Sequence, residues 1–260
     1  KTFKQSKLRI ISIVALFSVL ALIYSFLLPN IYQSKALLSP VGEQTSGINN
    51  AFQNYGGIAS LAGISLLGQS SDKNSIKALD KLVSLSFFSD HILPNIFLPD
   101  LMAEAKWDEE SNSVRYKDSI YSVQTGKWSE IPHPQKSFKA FMRKLEVSED
   151  SKTNFLTISL KHESPYIAKE WAELVVNEIN DSFRAKDKRE AESAMKFLNS
   201  QMALTNYTEI KQVVAEILKQ KMQQLTLIEA NEFYVFSYLD QPAVARKKIE
   251  PTRSSICILG

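Results

Sequence analysis

Cysteine is nearly absent: Cys257 is the single one in 260 residues. That excludes an intrachain disulfide framework and any cysteine-cluster zinc site. Histidine is scarce as well. His91, His133 and His162 lie too far apart to share a helix or a short motif, and each is expected as a surface or capping residue rather than a ligand. Glycine and proline, 8 and 9 in the whole chain, are unevenly spread. Neither occurs from Tyr166 to Gln241, where average usage would place roughly nine, and this argues for long helix. A large charge of one sign is missing too. The formal net charge is +3, and it comes from the ends: Lys1, Lys4, Lys7 and Arg9 at one, and Arg246, Lys247, Lys248 and Arg253 at the other. The stretch between is mildly acidic, which argues against a nucleic-acid binder.

Catalytic constellations are also lacking. There is no Gly-x-Ser-x-Gly elbow and no cysteine near a histidine. Glu109 and Glu110 are adjacent and expected to be solvated. Gly63-Ile-Ser-Leu-Leu-Gly-Gln-Ser70 nearly matches the phosphate-binding loop G-x-x-x-x-G-K-[ST], but Gln69 stands where a lysine must reach the phosphates. It reads as a small-residue packing segment. No catalytic, cofactor-binding or metal site is therefore expected. Trp107, Trp128 and Trp171 read as core packing, with a carbohydrate platform as the functional alternative.

What is present points to a membrane. Ile10 to Leu28 holds no charge, Gly or Pro. As a helix it would span about 28 Å, near the roughly 30 Å hydrocarbon core. The basic residues before it place the N-terminus in the cytoplasm, and no small-x-small cleavage site follows. Ile256-Cys-Ile-Leu-Gly260, after Pro251-Thr-Arg253, suits entry into a second membrane helix. The chain starts with Lys and breaks off in an apolar run, so an excerpt of a longer protein is expected. The expected layout is a cytoplasmic tail 1–9, a transmembrane helix 10–28, a periplasmic α/β base 29–163, a long helical region 164–236, a return segment 237–255 completing the base, and the start of a second transmembrane helix at 256–260.

The base has a mixed texture, so an α+β or α/β fold is expected. Tyr32–Leu38 reads as a strand stopped by Pro40. Ile58–Leu67 reads as a short helix. Ile76, Leu79, Leu82, Val83 and Phe87 mark one helix face over Ser75–Ile92. Ser113–Tyr121 reads as a hairpin strand pair, Phe138–Leu145 as a helix, and Leu145–Ser148 and Phe155–Leu160 as strands. Ser164-Pro165 reads as N-cap and first residue of a helix, whose face is Trp171, Val175, Ile179 and Phe183. The charged interval Arg184–Glu190 is expected to pair laterally between protomers. Residues 165–205 as a helix would rise about 60 Å. A reversal near Asn206 and a descending helix of roughly 28 residues, about 42 Å, would bring the chain back.

In this order the segments resemble the polysaccharide chain-length determinant (Wzz-type) family of polysaccharide co-polymerases. The stretch Ser164-Pro-Tyr-Ile-Ala-Lys-Glu-Trp-Ala-Glu-Leu-Val-Val-Asn-Glu-Ile-Asn-Asp-Ser-Phe-Arg184 is similar to the family's long-helix start. Tyr32-Gln-Ser-Lys-Ala-Leu-Leu-Ser-Pro40, Ala59-Ser-Leu-Ala-Gly63, Lys106-Trp-Asp108 and the block from Tyr234 through Arg253 resemble further family segments. Gln241 interrupts the usual Asp-Pro-Ala, and Val244-Ala-Arg246 lacks an expected proline. The resemblance implies a non-enzymatic, ring-forming homo-oligomer in the bacterial inner membrane. It would act with a membrane polymerase on lipid-linked polysaccharide to set the length of O-antigen or related chains, without a cofactor. It also implies a second branch, capsule or exopolysaccharide co-polymerases with a tyrosine kinase domain past the second anchor. A periplasmic adaptor or a sensor ectodomain is the reading from outside the family.

Overall fold

The computed structural model describes residues 28–41 and 70–252. The tail 1–9, the run Ile10–Leu28 except Leu28, the stretch Ile58–Leu67, the loop-like Gly63–Gln69 and the apolar end 256–260 lie outside them. Among the described residues, no helix is long and apolar enough to cross a membrane.

The chain enters on β1 (Tyr32–Pro40). β1 is central in a four-stranded antiparallel sheet of order β6-β7-β1-β8, where β6 is Leu145–Glu149, β7 Leu156–His162 and β8 Phe236–Asp240. Side chains alternate along β1: Ser34, Ala36 and Leu38 are buried, while Gln33, Lys35 and Leu37 lie on the more open face. One face thus carries the core. Register puts Tyr32 opposite His162 and Leu38 opposite Leu156. β1 continues through Pro40, which sits at its end opposite Phe236 in β8 after a register shift between Leu37 and Leu38.

The core face is covered by α4 (Pro165–Leu204), a helix of 40 residues. Trp171, Ala172, Val175, Val176, Ile179 and Phe183 are buried at helical spacing against the sheet. Full burial of each large aliphatic among them stabilises by about 1.5–3 kcal/mol. A strand of nine residues covers about 30 Å and so does a helix of about 20 residues, so α4 outruns the sheet just past Phe183. From there its partner is α5 (Thr208–Ala230), which returns antiparallel after the turn Thr205–Tyr207. α5 has 23 residues, fewer than the sequence predicts, because the last residues before β8 run as an irregular link.

Ser75–Ile92 is not one helix. α1 (Ser70–Leu82) stops where Ser84 Oγ donates to Lys81 O at 2.7 Å, and Ser84 Oγ accepts from Phe87 N at 3.2 Å to start a new turn. The chain then passes through helical and π-helical turns to Ile92. The break rotates the apolar set: Ala78, Leu82, Phe87, Phe88 and Ile92 are buried, whereas Ile76 and Val83 are exposed. α2 (Leu98–Met102) leads into the hairpin of β2 (Glu104–Asp108) and β3 (Ser113–Tyr116). Tyr121 belongs to a second small hairpin, β4 (Tyr121–Ser122) with β5 (Lys127–Trp128), so Ser113–Tyr121 is not a strand pair by itself. Asn112, Asn154 and Gly126 take positive φ in or beside the tight turns, positions that short polar side chains and glycine tolerate. α3 (Pro134–Lys144) then runs into β6.

Candidate functional site

Two places gather the chemistry of the chain. The first is where β7 runs into α4, at the end of the sheet that holds the first residue of β1. Here Ile31 N donates to Glu250 O at 2.9 Å, so the chain enters and leaves this end side by side. His162, the last residue of β7, is fully buried. Its Nδ1 accepts from Ser164 N at 2.9 Å, and its Nε2 lies 3.0 Å from Asp100 O and 2.9 Å from Glu104 Oε2. An imidazole that accepts at Nδ1 carries its proton on Nε2, so the network assigns the neutral Nε2–H tautomer. Ser164 occupies the N-cap position of α4 without a side-chain cap bond; its backbone N–H is held by the histidine instead.

Three elements and the link between β7 and α4 bring carboxyls and a cation to this ring. Glu104 on β2 pairs with Lys144 at the end of α3. Burial pushes Glu104 up, but hydrogen bonding by His162 and the charge of Lys144 outweigh it and hold the carboxyl below its usual range. Asp100 on α2 is raised by burial, against the hydrogen bond it accepts from Tyr116 Oη at 2.5 Å. Burial and that bond raise the Tyr116 phenol. Glu163, between β7 and α4, is pushed up to about 7, first by burial and then by the charge of Glu104. Its Oε2 is buried without a hydrogen-bond partner.

The second place is the root of the helical hairpin. Asn180 on α4 is buried, and its Oδ1 accepts from Tyr234 N, Val235 N and Phe236 N at 3.2, 2.8 and 3.0 Å. Its Nδ2 donates to Phe236 O at 3.0 Å and Val176 O at 3.1 Å. One side chain thus pins the returning chain as it enters β8. The charged interval works within the protomer. Arg184 donates to Asn231 O and Glu232 O, Asp187 accepts from Tyr234 Oη at 2.5 Å, and Lys188 pairs with Glu229. This replaces the expected lateral pairing for those groups, because α5 and the link to β8 lie against this interval. Beyond it the hairpin buries little: Ala191, Val214 and Ile228 are buried, while Phe197, Leu204, Tyr207, Ile210, Val213 and Met222 are exposed.

The residues singled out in the sequence are scattered. His91 Nδ1 lies 3.1 Å from Glu178 Oε2, and its ring stacks on Phe87. His133 caps α3 by accepting from Gln135 N. His162 is a core residue, not a surface one. Trp171 is buried against Phe141 and His162, which removes it as a platform. Trp107 packs against Tyr32 and Tyr166, and Trp128 against Tyr121. Glu109 and Glu110 sit exposed in the β2–β3 turn. Among the described residues, no group of His, Cys, Asp or Glu is placed to hold a metal ion. Sequence reasoning missed Asn180 and the ring around His162. For Asn180 the signal was available: it falls at i+4 from Val176, on the apolar face.

No curated protein matches the chain. Among solved structures it is similar to a full-length bacterial polysaccharide co-polymerase, at 14% identity and a TM-score of 0.41, covering 98% of this chain and 89% of that one. It is also similar to a fragment of the polysaccharide co-polymerase WzzB from Salmonella Typhimurium, at 16% identity and a TM-score of 0.37, covering 85% and 100%. The Shigella flexneri lipopolysaccharide O-antigen chain-length regulator WzzB matches at 12% identity and a TM-score of 0.32, covering 83% and 99%. The resemblance carried by the order of segments has its counterpart in a family model: residues 1–82 match Wzz, chain length determinant protein.

Proposed function

We propose that this chain is a non-enzymatic scaffold that sets the length of O-antigen or a related surface polysaccharide, as a homo-oligomer beside a membrane polymerase. The observation that carries it is the match of residues 1–82 to the chain length determinant family. The rest of the chain supports it. Entry and exit lie together through Ile31 and Glu250, as a protein returning to one membrane requires. α4 starts at that end and rises about 60 Å. In this reading 1–9 is a cytoplasmic tail, 10–28 and 256 onward are inner-membrane helices, and 29–255 lies in the periplasm, with 29–163 and 237–255 as base and 164–236 as the raised hairpin.

The ladder of polysaccharide lengths on a gel tests this directly. A strain lacking the gene is expected to lose its modal chain length and to regain it with the full-length protein. A ladder that is the same with and without the protein overturns the reading. A reporter that is active only in the periplasm, fused after Lys161, is expected to be active.

A further inference from the structure

We propose that the junction of β7 and α4 is a proton-operated clasp, in which a proton on Glu163 keeps the start of the long helix seated and loss of that proton loosens it. The argument is first one of counting charges in a confined space. Asp100, Glu104 and Glu163 come together with Lys144, whose side chain is 17% exposed and which Glu104 pairs with, and with Lys117, which is exposed. His162 is held at Nδ1 by Ser164 N and at Nε2 faces Asp100 O and Glu104, not Glu163 Oε2. Asp100 has the Tyr116 hydroxyl. Glu163 has nothing equivalent at Oε2, although the residue is 7% exposed. A buried carboxylate without a partner is costly, and holding a proton is the usual escape.

The groups facing Glu163 come from every neighbouring element: Glu104 on β2, Lys117 just after β3, Lys144 on α3 and His162 on β7. Burial and then the charge of Glu104 oppose ionisation, and Lys144, His162 and Lys117 favour it; the balance puts Glu163 at about 7. Because the folded carboxyl holds its proton more tightly than the unfolded one, its contribution is fully present below the ordinary glutamate range. It is lost as pH rises through about 7. Glu163 directly precedes Ser164, whose N–H is held by His162 and whose carbonyl accepts from Ala168 N at 3.1 Å. An ionised Glu163 that turns outward toward water therefore pulls on the two hydrogen bonds that begin α4.

The test is thermal unfolding and amide exchange of the full chain in detergent micelles, read from about pH 5 to about pH 8. The wild-type midpoint is expected to fall across this range, and protection of the Ser164 and Ala168 amides is expected to fall with it beyond the intrinsic exchange rate. Glu163→Gln, which keeps the shape and cannot ionise, is expected to flatten both profiles, while Glu109→Gln in the exposed turn leaves them as in wild type. A wild-type midpoint that is level from about pH 5 to about pH 8 overturns the clasp whether or not the variant folds. So does a Glu163→Gln profile with the wild-type slope. Both readouts concern the protein alone, so failure here is separate from failure of the scaffold reading.

Discussion

Asn180 shows how much one side chain decides. It satisfies three backbone N–H groups and one carbonyl of the returning chain in a buried place. Asn180→Ala leaves these groups without partners, and even one buried unsatisfied group costs about 1–3 kcal/mol. The expected loss is about 3 kcal/mol or more, read as a lowered midpoint in thermal unfolding; an unchanged midpoint would mean that water replaces the amide. The sequence holds a second asparagine three residues earlier, Asn177, which is exposed. Residue type alone does not separate the two; position on the apolar stripe does. The ring around His162 was harder to read, since its members come from four elements and only the tertiary fold joins them. Glu104 adds a second pH response of opposite sign. Its depressed carboxyl contributes stability above the ordinary glutamate range that is lost on acidification. Glu104→Gln is therefore expected to flatten the decline in unfolding midpoint below about pH 4.5, and a steeper decline would contradict the pairing with Lys144.

At the scale of elements, long α4 and strands β6 and β7 were legible, because period and breakers agreed over them. Trp171, Val175, Ile179 and Phe183 announce the buried face, and all four are buried. The failures have local causes. Leu82–Val83 continues the helical spacing into Phe87, but Ser84 bonds backward to Lys81 O and forward to Phe87 N, so the helix breaks without Gly or Pro. β2 does not stand out in the sequence because Trp107 and its neighbours lack clean alternation, and the strand exists through its pairing with β3. The expected descent of α5 ran too long because Phe233 and Tyr234 continue its apolar content, while Asn180 captures the backbone there. Since the first half of α4 holds the sheet, Val175→Pro is expected to unfold the base. An interior proline costs about 3 kcal/mol or more, and Val175 is fully buried. The far-ultraviolet circular dichroism signal is expected to drop at ambient temperature, and a native signal would show that α4 tolerates a kink there.

The whole molecule divides its stability unevenly. The base has a continuous core from Phe88 and Phe141 to Phe236, whereas, among the described residues, the outer hairpin has two helices and no third layer. Two helices cannot cover each other's apolar stripes, and Ile210 and Val213 stand 48% and 60% exposed one turn apart on α5. In the assembly proposed above this face would be open to the hairpins of other copies, while the contacts of Arg184, Asp187 and Lys188 hold the hairpin's root to the link before β8 and to α5. The proposed length-setting scaffold would depend on geometry of this kind, since height and spacing would belong to the assembly and not to any one side chain. The combined change Ile210→Glu and Val213→Glu places like charges on the exposed stripe, outside the core cluster. The monomer is expected to keep its unfolding midpoint, since exposed substitutions usually change stability by about 0.5 kcal/mol or less. Light scattering of the detergent-solubilised full chain is expected to show a smaller assembly, and the polysaccharide ladder is expected to lose its mode. An assembly of wild-type mass with an altered ladder would mean that this face serves length control directly and not through assembly. Wild-type mass with a wild-type ladder would show that the copies do not meet through this stripe.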